Sequence, residues 1–331
     1  MVTILTISSI ILSFIATLII TPYWIRRARH HGLTAKDMHR PEKDAAELGG
    51  LCVISGFLIG VLFYTAVDVL IKGNNHYPLF IFATICSVLI ATILGFTDDI
   101  LGWKIGIRQY QKVILTIAIT FPIMVINAGH STMTFPILGQ MNLGILYALM
   151  IVPLGIIGAS NGFNMIAGYN GLEAGMGIMI LSVLGYLSWV TGSGWVAVMA
   201  LCMVTALLAF LVFNFYPASV FPGDTLTYSV GTLIAIVAIL GNVEKYAVIL
   251  FIPYFIEFLL KARGRMQKES FAKVMSEGTL QRPYSRYYGI EHIVIDIIRA
   301  IKGKAYEYEV VLLIWAFEAV ISLATLAYFF Y

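Results

Sequence analysis

An all-helical protein that crosses the membrane about ten times is the fold class this sequence predicts, and three observations predict it. Of 331 residues, 60% are hydrophobic and only 12% are charged, where an ordinary soluble domain carries about 25% charge. Mean hydropathy is +0.88, and apolar runs recur from Ile4 to Phe330 at close to the roughly 20 residues a membrane helix needs. With the N-terminus outside, 19 of the 21 lysines and arginines fall on the inner side, leaving Lys72 and Lys245 outside, the asymmetry that orients membrane proteins. This composition excludes a water-soluble globule, a disordered chain, a nucleic-acid binder and a single-pass anchor. Its first partner is the lipid bilayer.

The spans fall at about residues 4 to 24, 51 to 70, 79 to 96, 111 to 128, 143 to 160, 174 to 191, 195 to 213, 226 to 241, 246 to 260 and 308 to 330. Residues 1–331 thus read as one integral-membrane domain with both termini outside. The first run has no basic residue before it and Arg26, Arg27 and Arg29 just after it. That is the reverse of a secretory signal, so the run stays as a span. Among the outer connections, 129 to 142 is the long one, and its β-branched residues flanking a proline and a glycine predict a small external hairpin. The inner segment 261 to 307 carries Ile290, Ile293, Val294, Ile297, Ile298 and Ile301 at helical spacing, opposite Glu291, Asp296, Arg299 and Lys302. That pattern describes a cytoplasmic helix lying in the interface, with His292 on its polar side. Cys52, Cys86 and Cys202 sit in apolar runs without a CxxC or metal-ligand spacing and read as core or lipid-side residues.

Charge close to hydrocarbon is expensive, so polar clusters at span ends are the candidate site. Four occur, all at inner ends. Asp98-Asp99 closes the third span in LGFTDDILG, and Lys112 opens the fourth. Adjacent carboxylates repel unless a cation or proton sits between them, which points to a metal or a base; a solvated loop pair is the plainer alternative. SNGFNMIAGYNGLEAG carries Asn161, Asn164, Asn170 and Glu173 among glycines. Carboxamides offer an oxygen to a hard cation and a donor-acceptor edge to a base, and N-G pairs also mark ordinary turns. Asp224 follows Pro222-Gly223 before the eighth span, where a helix N-cap is the structural reading. Arg263-Gly264-Arg265 could fork onto phosphate oxygens or touch anionic lipid. Together the four supply what a diphosphate substrate requires: a divalent metal, charge neutralisation and a reader for its nucleoside. A membrane-embedded phosphoryl-transfer enzyme is the expectation.

LGFTDDILG, NGFNMIAGYNGLEAG and NFYPASVFPGDT occur in this order between these spans, with KDMHRP before the second span and VISG within it. The set resembles the polyprenyl-phosphate N-acetylhexosamine-1-phosphate transferases over nearly the whole chain, most closely their UDP-N-acetylglucosamine dolichyl-phosphate branch. The resemblance implies ten helices, both termini outside and a cytoplasmic active site. It implies transfer of GlcNAc-1-phosphate from UDP-GlcNAc to a polyprenyl phosphate of the dolichyl type, with release of UMP, as the first step of lipid-linked glycan assembly.

It also implies residue roles. Asp98 would activate the attacking lipid phosphate beside Asp99, Lys112 would face phosphate, and Mg²⁺ (or Mn²⁺) would sit on Asn164 and Asp224. Asn170 would read uracil, with Asn161 and Glu173 in the same substrate loop. Arg263 and Arg265 would reach the diphosphate, and Asp37 and Arg40 would lie near nucleotide and acceptor. Two departures stand out. Gly102 replaces the Asn or Asp that relatives carry three residues after Asp99, and the bacterial histidine motif is missing, with Gly264 between the arginines where the closest branch has histidine. A peptide-bearing donor is therefore not expected.

Two rivals are a related transferase for another UDP-N-acetylhexosamine and a transporter with Asp68, Glu257 and Glu318 as its pathway. Against the transporter, Glu257 is expected to snorkel to the inner interface and Glu318 to pair with a hydroxyl or amide of a neighbouring helix. The oligomeric state, a homodimer included, stays open.

Overall fold

The computed structural model describes residues 4–105, 109–129, 131–135 and 139–331. Helix α1 (Ile4–His30) is followed by a hairpin, β1 (Thr34–Asp37) and β2 (Arg40–Ala46), at the end of the bundle that the charge asymmetry of the sequence predicts to be inner, hereafter the inner end. Then come α2 (Gly50–Ala66), extended by a π-helical turn at Val67–Ile71, and α3 (Pro78–Ile105). Short helices α4 (Gln109–Leu115) and α5 (Ile117–Val125) lead to the hairpin β3 (Thr132–Phe135) and β4 (Gly139–Asn142). A π-helical turn at Tyr147–Ile151 runs into α6 (Val152–Phe163), and α7 (Leu172–Val190), α8 (Gly194–Asn214) and α9 (Gly223–Gly241) follow. The chain closes with α10 (Glu244–Leu250), α11 (Ile252–Arg263), a two-residue ladder of β5 (Lys273–Val274) and β6 (Leu280–Gln281), α12 (Ile290–Lys302) and α13 (Glu307–Phe330).

Seven helices among the described residues are long and apolar enough to cross a membrane. The three other expected spans are helical but broken into pieces: α4 and α5 part at Thr116, Val152 and Pro153 open α6 after its π-helical turn, and α11 restarts at Ile252-Pro253. Proline has no N–H to give the preceding turn, so a helix readily restarts at it. Helix α1 has an inside-out pattern. Ile7, Ile11, Ile15 and Ile19 are exposed, whereas Ser9, Ser13, Thr17 and Thr21 are buried, and Ser13 donates to the carbonyls of Gly56 and Cys202. A helix that hides hydroxyls against small residues and shows isoleucine outward is built for lipid, where apolar surface is free to face the solvent.

Helix α9 is the axis of the bundle. It packs against α2, α3, α6, α7, α8 and α10, and every residue from Thr225 to Gly241 is buried. A helix surrounded on all sides has nowhere to place a charge except at its ends, and Asp224 stands at its inner end. That end is fixed by the strand-like stretch before it. The Ala46 N–H donates to Ser219 O, and the Phe221 N–H donates back to Ala46 O at 2.7 Å. The Gly49 and Gly50 amides bond to Phe221 and Pro222.

Several expectations change. Helix α12 does expose Ile297 and Ile301, but Glu291 and His292 are fully buried and not on a wet face, because its first turn docks onto the protein. Glu257 does not snorkel. It is fully buried, accepts from Ser270 Oγ and the Ile290 N–H, and so ties α11 to the start of α12. Burial, and then the neighbouring Glu257, holds the Glu291 carboxyl well above the usual range. Neither oxygen of the buried Glu318 has a hydrogen-bond partner among the described residues. Of the three acids of a transporter path, Asp68 is bound to Lys72 and Asn74 at the other end of the bundle from Glu257. Cys52 and Cys202 are buried and Cys86 is exposed, all as free thiols.

Candidate active site

Consecutive residues on a helix point about 100° apart, and this separates the two acids at the end of α3. Asp99 turns toward α9. Its Oδ1 accepts the Asp224 N–H at 2.8 Å, and its Oδ2 accepts the Thr225 N–H at 3.0 Å and Thr225 Oγ1 at 2.6 Å. These amides belong to the first turn of α9, whose donors have no partner within the helix, so Asp99 is an N-cap supplied by another helix. Asp224, which the sequence offers as the cap, is thereby released for other work. The approach requires glycine: a Cβ at Gly223 would lie 2.9 Å from Asp99 Cγ, and one at Gly95 would collide with the Asp224 backbone.

Asp98 turns toward Lys112. Lys112 Nζ lies 2.5 Å from Asp98 Oδ2 and 2.8 Å from Asp224 Oδ2, and all three side chains are less than a quarter exposed. Among the described residues, two carboxylates thus face one ammonium at a point poor in water. Asn164 Oδ1 is held nearby by a 2.8 Å bond from Thr227 Oγ1. Hard oxygen donors without thiol or imidazole fit Mg²⁺ or Mn²⁺, so the residues present match the metal the resemblance implies.

From this centre a cavity of about 440 Å³ runs between the inner loops, within the range of small-molecule sites. Asn164, Asp224 and Thr227 form one wall; Asn170, Glu173 and Asp37 form another. Glu173 Oε1 accepts the Gly168 N–H at 2.7 Å, which closes the α6–α7 loop. Lys36, Glu47 and Phe271 also line the cavity, and sequence reasoning passed over all three. Burial, and then the Asp99 carboxylate, raises the Glu47 carboxyl above its usual range. The signal for Glu47 was a single acid before two glycines at the mouth of a span; for Phe271 it was one aromatic in a polar stretch.

Seven sequence candidates do not line this cavity: Asp98, Asp99 and Lys112 adjoin it through Asp224, and four others lie away from it. Asn161 binds Thr116 and the Ile157 carbonyl, tying α6 to the α4–α5 break. The Arg40 guanidinium lies 5.3 Å from the Tyr216 ring centroid. Arg263 and Arg265 are exposed at the end of α11. Gly264 between them is crowded: a Cβ there would meet Tyr288 Cδ1 and Lys268 Cγ at 2.9 Å, so a histidine at this position would need both to move.

An apolar helix bundle with an acid-lysine-acid centre at one end and a polar cavity beside it defines an integral membrane protein with a phosphate-compatible site. A family model described as glycosyl transferase family 4 matches residues 80–242, the stretch that holds Asp98, Asp99, Lys112, Asn164, Asn170 and Asp224. A relative from Saccharolobus solfataricus is 38% identical over 319 residues, 95% of this chain and 93% of its own. One from Sulfolobus acidocaldarius is 34% identical over 97% of this chain and 95% of its own. Both carry the provisional name UDP-N-acetylglucosamine–dolichyl-phosphate N-acetylglucosaminephosphotransferase. A phospho-N-acetylmuramoyl-pentapeptide-transferase from Halalkalibacterium halodurans is 31% identical over 76% of this chain and 79% of its own. The chain belongs to the polyprenyl-phosphate N-acetylhexosamine-1-phosphate transferase family.

Proposed function

We propose that this protein transfers GlcNAc-1-phosphate from UDP-GlcNAc to a polyprenyl phosphate of the dolichyl type and releases UMP. The observation that carries the reading is Lys112 held between Asp98 and Asp224 beside a cavity walled by Asn164 and Asn170. The two relatives similar over nearly their full length are named for this activity. In the reaction an oxygen of the lipid phosphate attacks the β-phosphorus of the donor. The bond from that phosphorus to the bridging oxygen breaks, and UMP leaves with the oxygen. With a second pKa near 6, a phosphate monoester is largely dianionic at pH 7. Asp98 therefore has at most one proton to remove, and its larger task is to place Lys112.

Lys112 offsets the charge that builds on the transferred group, while Asn164 and Asp224 are the residues that would hold Mg²⁺. Bound there, the ion would neutralise the diphosphate and stabilise the departing UMP. Asn170 presents the donor-acceptor edge that uracil complements. On this reading the chain crosses ten times with both termini outside and its site faces the cytoplasm; what supports it is that 19 of 21 basic residues then fall on that side. Exposed Ile297 and Ile301 suit α12 to the membrane surface there.

Purified protein with Mg²⁺, dolichyl phosphate and either UDP-GlcNAc or UDP-N-acetylmuramoyl-pentapeptide tests the proposal. Lipid-linked GlcNAc-diphosphate and UMP are expected from the first donor only, and EDTA should stop their formation. Transfer from the peptide donor at an equal rate, or full activity in EDTA, would overturn the donor and the metal assignments respectively.

A further inference from the structure

Four buried polar residues from three distant stretches of chain, Asn170 among them, gather at the back of the cavity. The Asn170 N–H donates to Glu307 Oε1 at 2.8 Å, and Asn170 Nδ2 donates to Asp37 Oδ2 at 2.9 Å. Asp37 Oδ1 accepts the His39 N–H at 2.9 Å, which closes the tight turn of the inner hairpin. His39 Nδ1 faces Glu307 Oε1 at 3.4 Å, an ion-pair distance without a hydrogen bond. All four residues are at most 5% exposed. The His39 ring packs on Tyr169, with centroids 4.5 Å apart. Asn170 and Asp37 face the cavity; Glu307 and His39 do not line it.

One carboxylate oxygen of Asp37, one of Glu307 and one nitrogen of His39 lie within 4.8 Å of one another, which raises the question of a cation. The histidine answers it. The Ala272 N–H points at Nε2 from 3.4 Å, so Nε2 carries the lone pair and Nδ1 carries the proton. A metal on Nδ1 would drive that proton to Nε2, against an N–H donor. The cluster is a hydrogen-bonded chain running from Glu307 through Asn170 and Asp37 to the His39 backbone, with the His39 imidazole facing back toward Glu307, and its Glu307 carboxylate sits in the first turn of α13, where helix amides favour negative charge.

A side-chain amide discriminates a base only if its orientation is fixed, since rotating it by half a turn exchanges donor and acceptor. The bond to Asp37 fixes which way Nδ2 faces, and the bond to Glu307 fixes the backbone from which the side chain springs. We propose that Glu307 and His39 are positioning residues that set the pose of Asn170 and, through it, affinity for the nucleoside half of the donor. This rests on the reading that the cavity takes a UDP-sugar.

The test uses the full-length protein in detergent or vesicles, with two readouts: transfer kinetics, and UMP binding by calorimetry. Glu307→Ala should raise KM for UDP-GlcNAc and the Kd for UMP by about 10- to 50-fold, as expected for loss of a hydrogen bond to a charged acceptor, with kcat within about threefold. Glu307→Gln keeps an acceptor for the Asn170 amide and should recover most of the loss. Because the effect passes through Asn170, Glu307→Ala combined with Asn170→Leu should be no worse than Asn170→Leu alone, a non-additivity that a general loss of packing would not produce. His39→Asn, which keeps a donor near Nδ1, should bind UMP better than His39→Leu, and this pair carries the test if Glu307→Ala does not fold. Unchanged UMP binding in Glu307→Ala, or equal binding in the two His39 variants, would overturn the inference. Additive losses in the double variant would do the same. If the unmodified protein neither binds UMP nor transfers GlcNAc-1-phosphate, the underlying functional reading fails instead.

Discussion

Two cavities of similar size open near opposite ends of the bundle, about 440 Å³ at the inner end and about 480 Å³ at the other. The second is walled by Tyr64, Tyr77, Tyr186, Trp189 and Trp195, with Tyr77 and Trp195 stacked at 5.0 Å. Its one lysine, Lys72, is matched by Asp68 at 3.1 Å. The inner cavity is walled by the acids Asp37, Glu47, Glu173 and Asp224 and by carboxamides, with Lys36 as its lining lysine, and through Asp224 it adjoins Lys112. Volume does not distinguish them; charge balance does. The aromatic cavity is locally neutral and has the composition of the belt that anchors membrane helices at the water boundary. The acidic one crowds carboxylates together where hydration is poor, a cost that persists only where a ligand or reaction uses it.

The comparison breaks most visibly at Asp224. Asp224→Ala should lower kcat/KM by on the order of 10²–10³-fold, the scale on which a fixed electrostatic group in a water-poor site acts, with protein yield preserved. A loss under tenfold in a steady-state assay would remove the centre from the chemistry. Asp98→Asn should come next, lowering kcat strongly while KM for UDP-GlcNAc stays within about threefold, because the group acts on acceptor or transition state. Wild-type kcat at pH 7 would contradict its place beside Lys112.

Asp99→Asn sharpens the division of labour between the adjacent acids. An amide has one acceptor oxygen where the carboxylate uses two, so thermal unfolding should show a loss of about 1–2 kcal/mol, the worth of a helix cap. The activity lost should exceed what unfolding accounts for, since the cap also positions Asp224. Unchanged stability would mean that Asp99 is not holding α9. In the other cavity Trp195→Ala should leave kcat/KM within about twofold, as packing far from charge alters stability more than turnover. A tenfold loss there would erase the contrast between the two ends.

Much of this was legible in the chain before folding. Hydropathy located the seven helices that are, among the described residues, long and apolar enough to cross a membrane, because in lipid a span must be apolar over its length. Polar clusters were conspicuous for the same reason. What sequence could not supply was direction. Asp98 and Asp99 are neighbours in the chain and look like one site; helix rotation sends them to different partners. Glu291 sits opposite the apolar stripe of α12 by periodicity, but the first turn is buried from its polar side by Ser270 and α11. The inner hairpin was invisible because RPEKDAA has no strand alternation; its register comes from pairing with β1 and with the stretch before α9. Glu307 and His39 escaped notice because their link to Asn170 spans more than 100 residues and leaves no local pattern.

The central claim is that a phosphosugar, and not a bare sugar, leaves the nucleotide at the inner cavity. Purified protein given dolichyl phosphate, Mg²⁺ and UDP-GlcNAc labelled with ³²P at the β-phosphate tests this directly. The account predicts that the label moves into the lipid fraction in step with unlabelled UMP, and that Asp224→Ala loses both signals together. Label recovered in UDP, with unlabelled lipid-linked GlcNAc, would contradict it.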